Sequence, residues 1–223
     1  MALQDTSCQA IFYGVNVHKN ALIIGLTGGI ASGKSCAAEI LREKGAAIVD
    51  ADVVSRELVR PGSPLLEKLE EEYGSDIILA DGNLDRAKLS SLVFANDESL
   101  QKINSIMHPA IWKEIFRQID EAAEKSSVVV LAAPLLLEHG AEAIADSVWV
   151  TDVTPDIQLE RLMARDNLSQ EQARKRISAQ MPLDKKAALA DILLDNCGSK
   201  EKLREQIEIE WEEHVKPLIA PTA

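Results

Sequence analysis

The chain has few cysteines and few cations. Its 223 residues include three cysteines, Cys8, Cys36 and Cys197, an odd number without the spacing of a metal site. We therefore expect no disulfide framework and a reducing compartment, which favours a cytoplasmic protein. Lys and Arg number 24 against 36 Asp and Glu, a formal net charge of −12. Because binding to a phosphate backbone needs clustered cations in excess, we expect no nucleic-acid partner.

Long apolar runs are also lacking in the sequence. No stretch approaches the roughly 18 apolar residues of a membrane helix, so we expect no membrane partner. Residues 1–20 contain a single cation, Lys19, and no long apolar middle, which is not typical of a secretory signal. We interpret them as a flexible N-terminal extension. The hydrophobic content of 46% is sufficient for one sizeable core, with room for an insertion.

Residues 28–35 read Gly-Gly-Ile-Ala-Ser-Gly-Lys-Ser, the G-x-x-x-x-G-K-S pattern of a phosphate-binding P-loop. An apolar run precedes the motif and a helical pattern follows it, as the motif requires. In such a loop the backbone N–H groups converge on phosphates, the lysine reaches the outer phosphates and the serine hydroxyl coordinates Mg²⁺. The motif predicts a nucleoside-triphosphate site formed by Gly29, Ile30, Ala31, Ser32, Gly33, Lys34, Ser35 and Cys36.

The apolar runs alternate with helical patterns. Runs at 21–27, 46–51, 127–133, 147–151 and 191–195 are predicted strands. Continuous apolar strands between helices indicate a parallel five-stranded sheet covered on both faces, an α/β fold. Thr154 before Pro155 predicts a helix start, and Ser169 with Gln172 predicts a capping box.

Two segments are longer than an ordinary connection. Roughly 75 residues separate the second and third predicted strands, and helical patterns fill them. These patterns cover 64–73, 85–94, 97–105 and 109–124, the last beginning after His108. A helical insertion beside the carboxyl ends of the strands is placed to bind an acceptor. The second segment, 155–189, holds Arg161, Arg165, Arg174 and Arg176, which either close over phosphates or form a solvated face with Glu160, Asp166 and Glu171.

We therefore predict a nucleotide-binding core of residues 21–59, 126–154 and 190–223. The helical acceptor-binding domain covers 60–125, and a helical lid covers 155–189.

Asp50-Ala51-Asp52 stands at the end of the second predicted strand. In an extended strand the two aspartates share one face, and burying two like charges is costly without a cation or hydrogen bonds. We predict Asp52 as the general base or the group that orients the acceptor, and Asp50 as a residue that supports Mg²⁺ from outside its direct ligands. The Asn/Thr-Lys-x-Asp segment of a GTPase is absent, which favours a kinase of small molecules.

Seven motifs, including the P-loop and the aspartate pair, follow one another in the order found in the dephospho-coenzyme A kinase family. The chain resembles this family from about residue 21 to about residue 215. The motifs are Leu26–Ser35, Asp50–Asp52, Phe94–Asn96, His108-Pro109, Pro134–Glu138, Gln180–Pro182 and Asp195-Asn196. The resemblance implies transfer of the ATP γ-phosphate to the ribose 3′-hydroxyl of dephospho-CoA, the final step of coenzyme A biosynthesis. It also implies a P-loop NTPase-type fold with a helical acceptor-binding insertion and a lid.

The resemblance assigns roles to matching residues. Asp52 matches the catalytic aspartate, Lys34 the P-loop lysine, and Arg161 the lid arginine that contacts the ATP phosphates, with Arg165 in support. The acceptor side includes Arg56, His108, Pro134 and Leu135, and the adenine side includes Asn196, Gly198 and Ser199.

Alternatives remain for the acceptor residues. Arg56 is also placed for a surface ion pair with Glu57 or Asp52. His108 is also read as the residue that begins the long helix. Pro134 and Leu135 follow a buried strand, so they are also candidates for core packing.

The P-loop departs from the family at two positions. Ala31 replaces a residue that is usually glycine, and we expect alanine to be tolerated only where φ is negative. Cys36 replaces a common threonine in the first turn of the helix. It is either a small packed substitute or a thiol activated by the helix N-terminus and protected by ATP.

Two other functions remain open at this point. One is a different small-molecule P-loop kinase, such as a nucleoside monophosphate kinase, and the other is a non-catalytic ATP-dependent switch. For the oligomeric state we expect a monomer or a weak homo-oligomer.

Overall fold

The structure, a computed structural model, describes residues 21–93 and 97–220. It divides into two compact units, one formed by the described residues up to Val49 and from Ile119 onwards, the other by Asp50–Gln118. The extension expected at 1–20 and the motif Phe94–Asn96 lie outside the described residues. Within the described part of the chain, no helix has both the length and the apolar character needed to cross a membrane.

Five strands form one sheet in the order β2-β3-β1-β4-β5. Their bounds are β1 Leu22–Gly28, β2 Ala47–Asp50, β3 Val128–Ala132, β4 Ser147–Asp152 and β5 Ile192–Asp195. Strand β1 pairs in parallel with β3 and β4, and β4 pairs in parallel with β5. All of β3 is buried, whereas the edge strand β5 alternates buried and exposed residues. The predicted five-stranded α/β sheet is confirmed.

The helices follow the strands along the chain. They are α1 Lys34–Glu43, α2 Ala51–Glu57, α3 Pro64–Tyr73, α4 Arg86–Val93, α5 Asp97–Ala123, α6 Pro155–Asp166, α7 Gln170–Ser178, α8 Leu183–Ala187, α9 Lys200–Glu210 and α10 Lys216–Ile219. Two 3₁₀ turns, Ser75–Ile77 and Ala141–Ile144, and a π-helical turn, Trp211–Val215, complete the described elements. Helix α7 begins with the predicted capping box of Ser169 and Gln172. Thr154 stands at the N-cap of α6, but its side chain makes no capping hydrogen bond.

The first unit is built around the sheet. Its main apolar cluster joins strand residues such as Leu26 and Trp149 to Leu41 of α1 and Ile207 of α9. Leu26, Leu41, Trp149 and Ile207 have no exposed surface, and burying a side chain of this size contributes about 1.5–3 kcal/mol. This packing holds α1 against the sheet, directly after the P-loop.

The second unit is helical and has its own core around Leu69 and Ile77, neither of which is exposed. The two helices expected over 97–105 and 109–124 are one helix, α5, with Pro109 in its interior. The prediction that His108 begins a helix is therefore wrong. An internal proline costs about 3 kcal/mol. Apolar side chains on both sides of it, Ile103, Ile106, Met107 and Ala110, pack against the same core, and their burial offsets that cost.

Candidate active site

Residues at the carboxyl ends of strands β4 and β5 hold the P-loop through hydrogen bonds. The Ser32 and Thr151 hydroxyl oxygens are 2.7 Å apart, and neither residue is exposed. The Asn196 amide, directly after β5, donates to the Ser32 carbonyl oxygen at 2.8 Å. Thr151 also donates to the carbonyl oxygen of Thr27 at 3.3 Å. The middle of the loop is therefore held by β4 and by the residue that follows β5.

These contacts explain why two positions of the loop, 28 and 33, are occupied by glycine. A Cβ on Gly33 would stand 1.8 Å from the Asn196 amide nitrogen, and Gly33 has a φ of +101°. A Cβ on Gly28 would stand 2.2 Å from the Thr151 hydroxyl. Both positions therefore need glycine for the close approach of neighbouring side chains, in addition to any approach of a phosphate.

Ala31 has a left-handed backbone conformation, with a φ of +62°. The expectation of a negative φ is wrong. The chain reverses here, and Ser32 N–H donates to the Gly29 carbonyl oxygen at 3.0 Å. For an alanine this conformation costs roughly 1–2 kcal/mol, so the surrounding contacts must maintain it.

The start of α1 is suited to an anion. Helix α1 begins at Lys34, and its N-cap, Gly33, supplies no side-chain cap. A helix N-terminus carries backbone N–H groups without intrahelical partners and a partial positive charge, which suits phosphate. Lys34 is half-buried and Ser35 is exposed. Cys36 is half-buried and packs against the apolar core.

The donor set fits Mg²⁺ held mainly through phosphates. Magnesium prefers oxygen ligands, keeps several waters and takes few ligands from protein. The exposed Ser35 hydroxyl offers an oxygen of this kind. Among residues 21–93 and 97–220, no group of three His, Cys, Asp or Glu side chains forms a metal cage.

Two glutamines from the segment 155–189 hold Ile30 of the loop. The Gln158 amide nitrogen donates to the Ile30 carbonyl oxygen at 2.9 Å. The Ile30 N–H donates to the Gln180 side-chain oxygen at 2.7 Å. Helix α6 and the segment after α7 are thus bonded directly to the P-loop.

The arginines of this segment differ from one another. Arg165 bonds to Asp166 at 2.8 Å, and Arg176 reaches the same carboxylate at 2.7 Å. The hydrogen bond from Arg165 is the main cause that lowers the pKa of Asp166. These are ion pairs of the kind expected from a solvated face. Arg161 is half-buried, and no ion pair joins it to another described residue.

The loop after β3 is held by a buried lysine. Lys186 of α8 has no exposed surface, and its Nζ donates to the Pro134 carbonyl oxygen at 2.6 Å and to Glu138 at 2.8 Å. Burial lowers the pKa of the Lys186 ammonium, and the bond to Glu138 opposes that shift. Glu138 also accepts from Met181 N–H at 3.0 Å. Leu135 is 38% exposed, so core packing does not fully account for it.

The aspartate pair differs from its sequence prediction. Strand β2 ends at Asp50, and Asp52 lies in the first turn of α2, so the two do not share a strand face as predicted. Asp50 caps α2 by accepting from Asp52 N–H at 2.8 Å and Val53 N–H at 3.2 Å. The hydrogen bonds of a helix cap therefore provide a structural reason for Asp50. The Asp52 side chain is exposed.

Arg56 and His108 lie on different helices of the second unit. Arg56 Nε donates to the Asp52 backbone carbonyl at 3.0 Å, whereas Glu57 pairs with Arg60. His108 is half-buried in the middle of α5.

The residues after β5 have structural partners. Asn196 is buried against the P-loop, and Ser199 caps α9 by accepting from Lys202 N–H at 3.4 Å. A Cβ on Gly198 would stand 2.9 Å from the Lys202 side chain. A hydrogen bond to Asp195 raises the pKa of the Cys197 thiol, which favours its protonated form.

Sequence reasoning missed Gln158, Thr151 and Lys186. Gln158 stands one turn before the buried Leu162 on α6, so a polar residue in the buried stripe of a helix was an available signal. Thr151 was read only as part of an apolar strand. Lys186 carried no signal, because a lysine in a short charged helix is typical of an exposed surface.

Comparisons with known proteins agree with this geometry. A family model described as dephospho-CoA kinase matches residues 22–202. The dephospho-CoA kinase of Carboxydothermus hydrogenoformans is 48% identical over 186 residues, 83% of this chain and 90% of that one. The enzyme of that name from Enterococcus faecalis is 42% identical over 193 residues, 86% of this chain and 97% of that one.

Two solved structures are also similar to this chain. A Thermus thermophilus protein superposes with a TM-score of 0.74 at 31% identity, over 88% of this chain and 100% of that one. The dephospho-CoA kinase of Campylobacter jejuni gives a TM-score of 0.59 at 26% identity, over 86% and 96% of the two chains. The family predicted from the motifs is confirmed: this chain belongs to the dephospho-CoA kinase family.

Proposed function

We propose that this kinase transfers the γ-phosphate of ATP to the ribose 3′-hydroxyl of dephospho-CoA and releases CoA and ADP. The observation that carries the proposal is the anchored P-loop, with Lys34 and Ser35 at the start of α1, in a chain of this family. The same reasoning proposes residues 155–189 as the lid and 60–125 as the acceptor-binding domain. A cytoplasmic location and a monomer or weak homo-oligomer complete the proposal.

Phosphoryl transfer depends on positioning and on neutralising charge. The α1 N-terminus and the Lys34 ammonium are suited to bind the triphosphate. Arg161 is a half-buried cation of the proposed lid, and no ion pair joins it to another described residue. Ser35 would hold Mg²⁺, which would neutralise further charge on the phosphates. Asn196 and Gly198 are proposed for the adenine end.

Asp52 is proposed to accept the proton of the attacking 3′-hydroxyl. Its carboxylate is exposed and takes no part in the cap of α2, in which Asp50 is the acceptor. Arg56, His108, Pro134 and Leu135 are proposed to contact dephospho-CoA.

Two substitutions separate the acceptor role from the ATP role. Asp52→Asn is expected to lower kcat by about 10²–10⁴-fold with little change in KM for ATP, because a general base acts only on the acceptor. Lys34→Ala is expected to weaken ATP binding and to lower kcat. Asp76→Asn, an exposed aspartate of the same unit as Asp52, is the matched control and should leave both constants unchanged.

The assay measures ADP release with dephospho-CoA, AMP, CMP or GMP as acceptor. Turnover with a nucleoside monophosphate but not with dephospho-CoA would show that the proposed acceptor is wrong. No acceptor-dependent ADP at all would favour a switch. Near-normal turnover of Asp52→Asn would remove Asp52 from the mechanism.

A further inference from the structure

Ile30 of the P-loop is hydrogen-bonded to two side chains of the proposed lid, Gln158 and Gln180. The Gln158 side chain is 5% exposed, and its amide nitrogen donates to the Ile30 carbonyl oxygen at 2.9 Å. Gln180 accepts from the Ile30 N–H at 2.7 Å. The two peptide groups of Ile30 are therefore each held by a side-chain amide, one as donor and one as acceptor.

The residue after Ile30 is the one that most needs support. Ala31 has a φ of +62°, a conformation that alanine avoids. Rotation about this φ would swing the peptide group between Ile30 and Ala31, whose carbonyl oxygen is the acceptor for Gln158. The Gln158 hydrogen bond therefore opposes the rotation by which Ala31 would relieve its strain.

Gly29 makes room for this arrangement. A Cβ on Gly29 would stand 2.5 Å from the Gln158 amide nitrogen and 3.1 Å from the Leu183 side chain of α8. The space beside Gly29, the second glycine of the P-loop, is therefore occupied by side chains of the proposed lid. A side chain at position 29 would displace the Gln158 amide.

The same bond also fixes helix α6. Gln158 is buried in the first half of α6, and Arg161 follows three residues later on the same side of the helix. A buried amide that must meet one carbonyl oxygen determines how α6 is rotated about its axis. The position of Arg161 relative to the P-loop therefore depends on Gln158.

We propose that Gln158 and Gln180 are positioning residues for phosphoryl transfer, which hold the Ile30 peptide groups, keep Ala31 left-handed and set α6 against the phosphate-binding loop. This inference rests on the proposed function for its kinetic readout. The two glutamines act through the loop and through Arg161, and neither is a catalytic residue.

The opposite hydrogen-bond roles of the two glutamines give a matched test. Gln158→Glu and Gln180→Glu are nearly isosteric and add the same charge. At position 158 a carboxylate would face a carbonyl oxygen with no proton between them, whereas at position 180 a carboxylate still accepts from N–H. We expect Gln158→Glu to raise KM for ATP at least tenfold more than Gln180→Glu does, a factor equivalent to about 1.4 kcal/mol.

Ala31→Gly supplies the second readout. Glycine adopts a positive φ without the cost that alanine bears. In the Ala31→Gly background, Gln158→Glu should therefore raise KM for ATP about fivefold less than it does in the parent chain. A side chain that merely stabilises the fold would give additive effects in this double-mutant cycle.

The measurements are steady-state kinetics and calorimetric binding of Mg-ATP, with the unfolding midpoint recorded for each variant. Gln158→Met, which removes the donor without adding charge, replaces Gln158→Glu if that variant does not fold, and should raise KM in the same direction. The proposal would be overturned if Gln158→Glu and Gln180→Glu raised KM for ATP equally. It would also be overturned if the effects of Gln158→Glu and Ala31→Gly on KM were additive. Calorimetry needs no acceptor, so inactivity of the parent chain on dephospho-CoA would contradict the proposed function and leave this test readable.

Discussion

The two units differ in how far along the chain their polar contacts reach. Around the P-loop, Ser32 meets Thr151 across 119 positions and Asn196 across 164, and Ile30 meets Gln180 across 150. In the helical unit, the bonds of Asp50 with Asp52 and of Glu114 with Arg117 span two and three positions. The phosphate-binding loop is therefore assembled by convergence of distant segments, whereas many polar contacts of the helical unit lie within one helical turn.

This difference predicts different consequences of substitution. A change near the P-loop disturbs several segments at once and should alter ATP binding as well as stability. A change in a local pair of the helical unit outside the proposed acceptor contacts, such as Glu114 with Arg117, should alter stability alone.

The largest effect on stability is expected from Lys186→Met. It leaves Glu138 without its buried partner, and breaking a buried ion pair costs about 3–5 kcal/mol. Because Glu138 is 19% exposed, we expect the lower end of that range, measured by urea unfolding. The exposed neighbour Lys185→Met is the control, and Lys186→Met combined with Glu138→Gln should recover part of the loss. A cost equal to that of Lys185→Met would show that the pair contributes little.

A smaller effect is expected from alanine at two glycines, one in each unit. Gly33 and Gly62 both have positive φ, +101° and +77°, but a Cβ would collide with Asn196 at Gly33 and would meet nothing within 4 Å at Gly62. Gly62→Ala should cost only the conformational strain, about 1 kcal/mol. Gly33→Ala should cost more and should raise KM for ATP, whereas Gly62→Ala should not. Similar unfolding free energies and similar KM values for the two variants would remove the distinction between the units.

The smallest effect concerns Glu114 and pH. Hydrogen bonds, first from Arg117 and then from Gln118, lower the pKa of the Glu114 carboxyl from 4.5 to about 2. Its stabilising contribution is therefore complete above pH 4.5 and is lost as the pH falls towards 2. In Glu114→Gln the unfolding free energy should fall less steeply across this window than in the parent chain.

Urea unfolding at pH 5, 4 and 3 measures that slope. Glu71→Gln, an exposed carboxylate with no ion-pair partner among the described residues, is the control for the same unit. A slope for Glu114→Gln that matches the slope of Glu71→Gln would contradict the prediction.

The sequence predicted what depends on local patterns. Apolar runs gave all five strands to within one residue at each end. Helix α3 begins and ends as predicted, and helix α6 begins as predicted. Ser169 and Gln172 formed their capping box because that motif requires only four neighbouring residues. The P-loop motif placed Lys34 at a helix start for the same reason.

The failed predictions depended on distant partners. Pro109 looked like a helix start, but apolar packing on both sides carried α5 through it. The sign of φ at Ala31 depends on contacts with residues more than a hundred positions away, which no local pattern encodes. Gln158 and Lys186 acquire their roles from the same kind of contact. The assignments of Asp52, Arg161 and the other site residues remain predictions.

The burial of Lys186 also makes it a natural reporter. A lysine without exposed surface, whose Nζ is bonded to Pro134 and Glu138, is shielded from reagents that modify amines. Exposed neighbours such as Lys185 are modified whenever the reagent is present. The ratio of modification at these two lysines therefore measures how often α8 separates from the loop after β3.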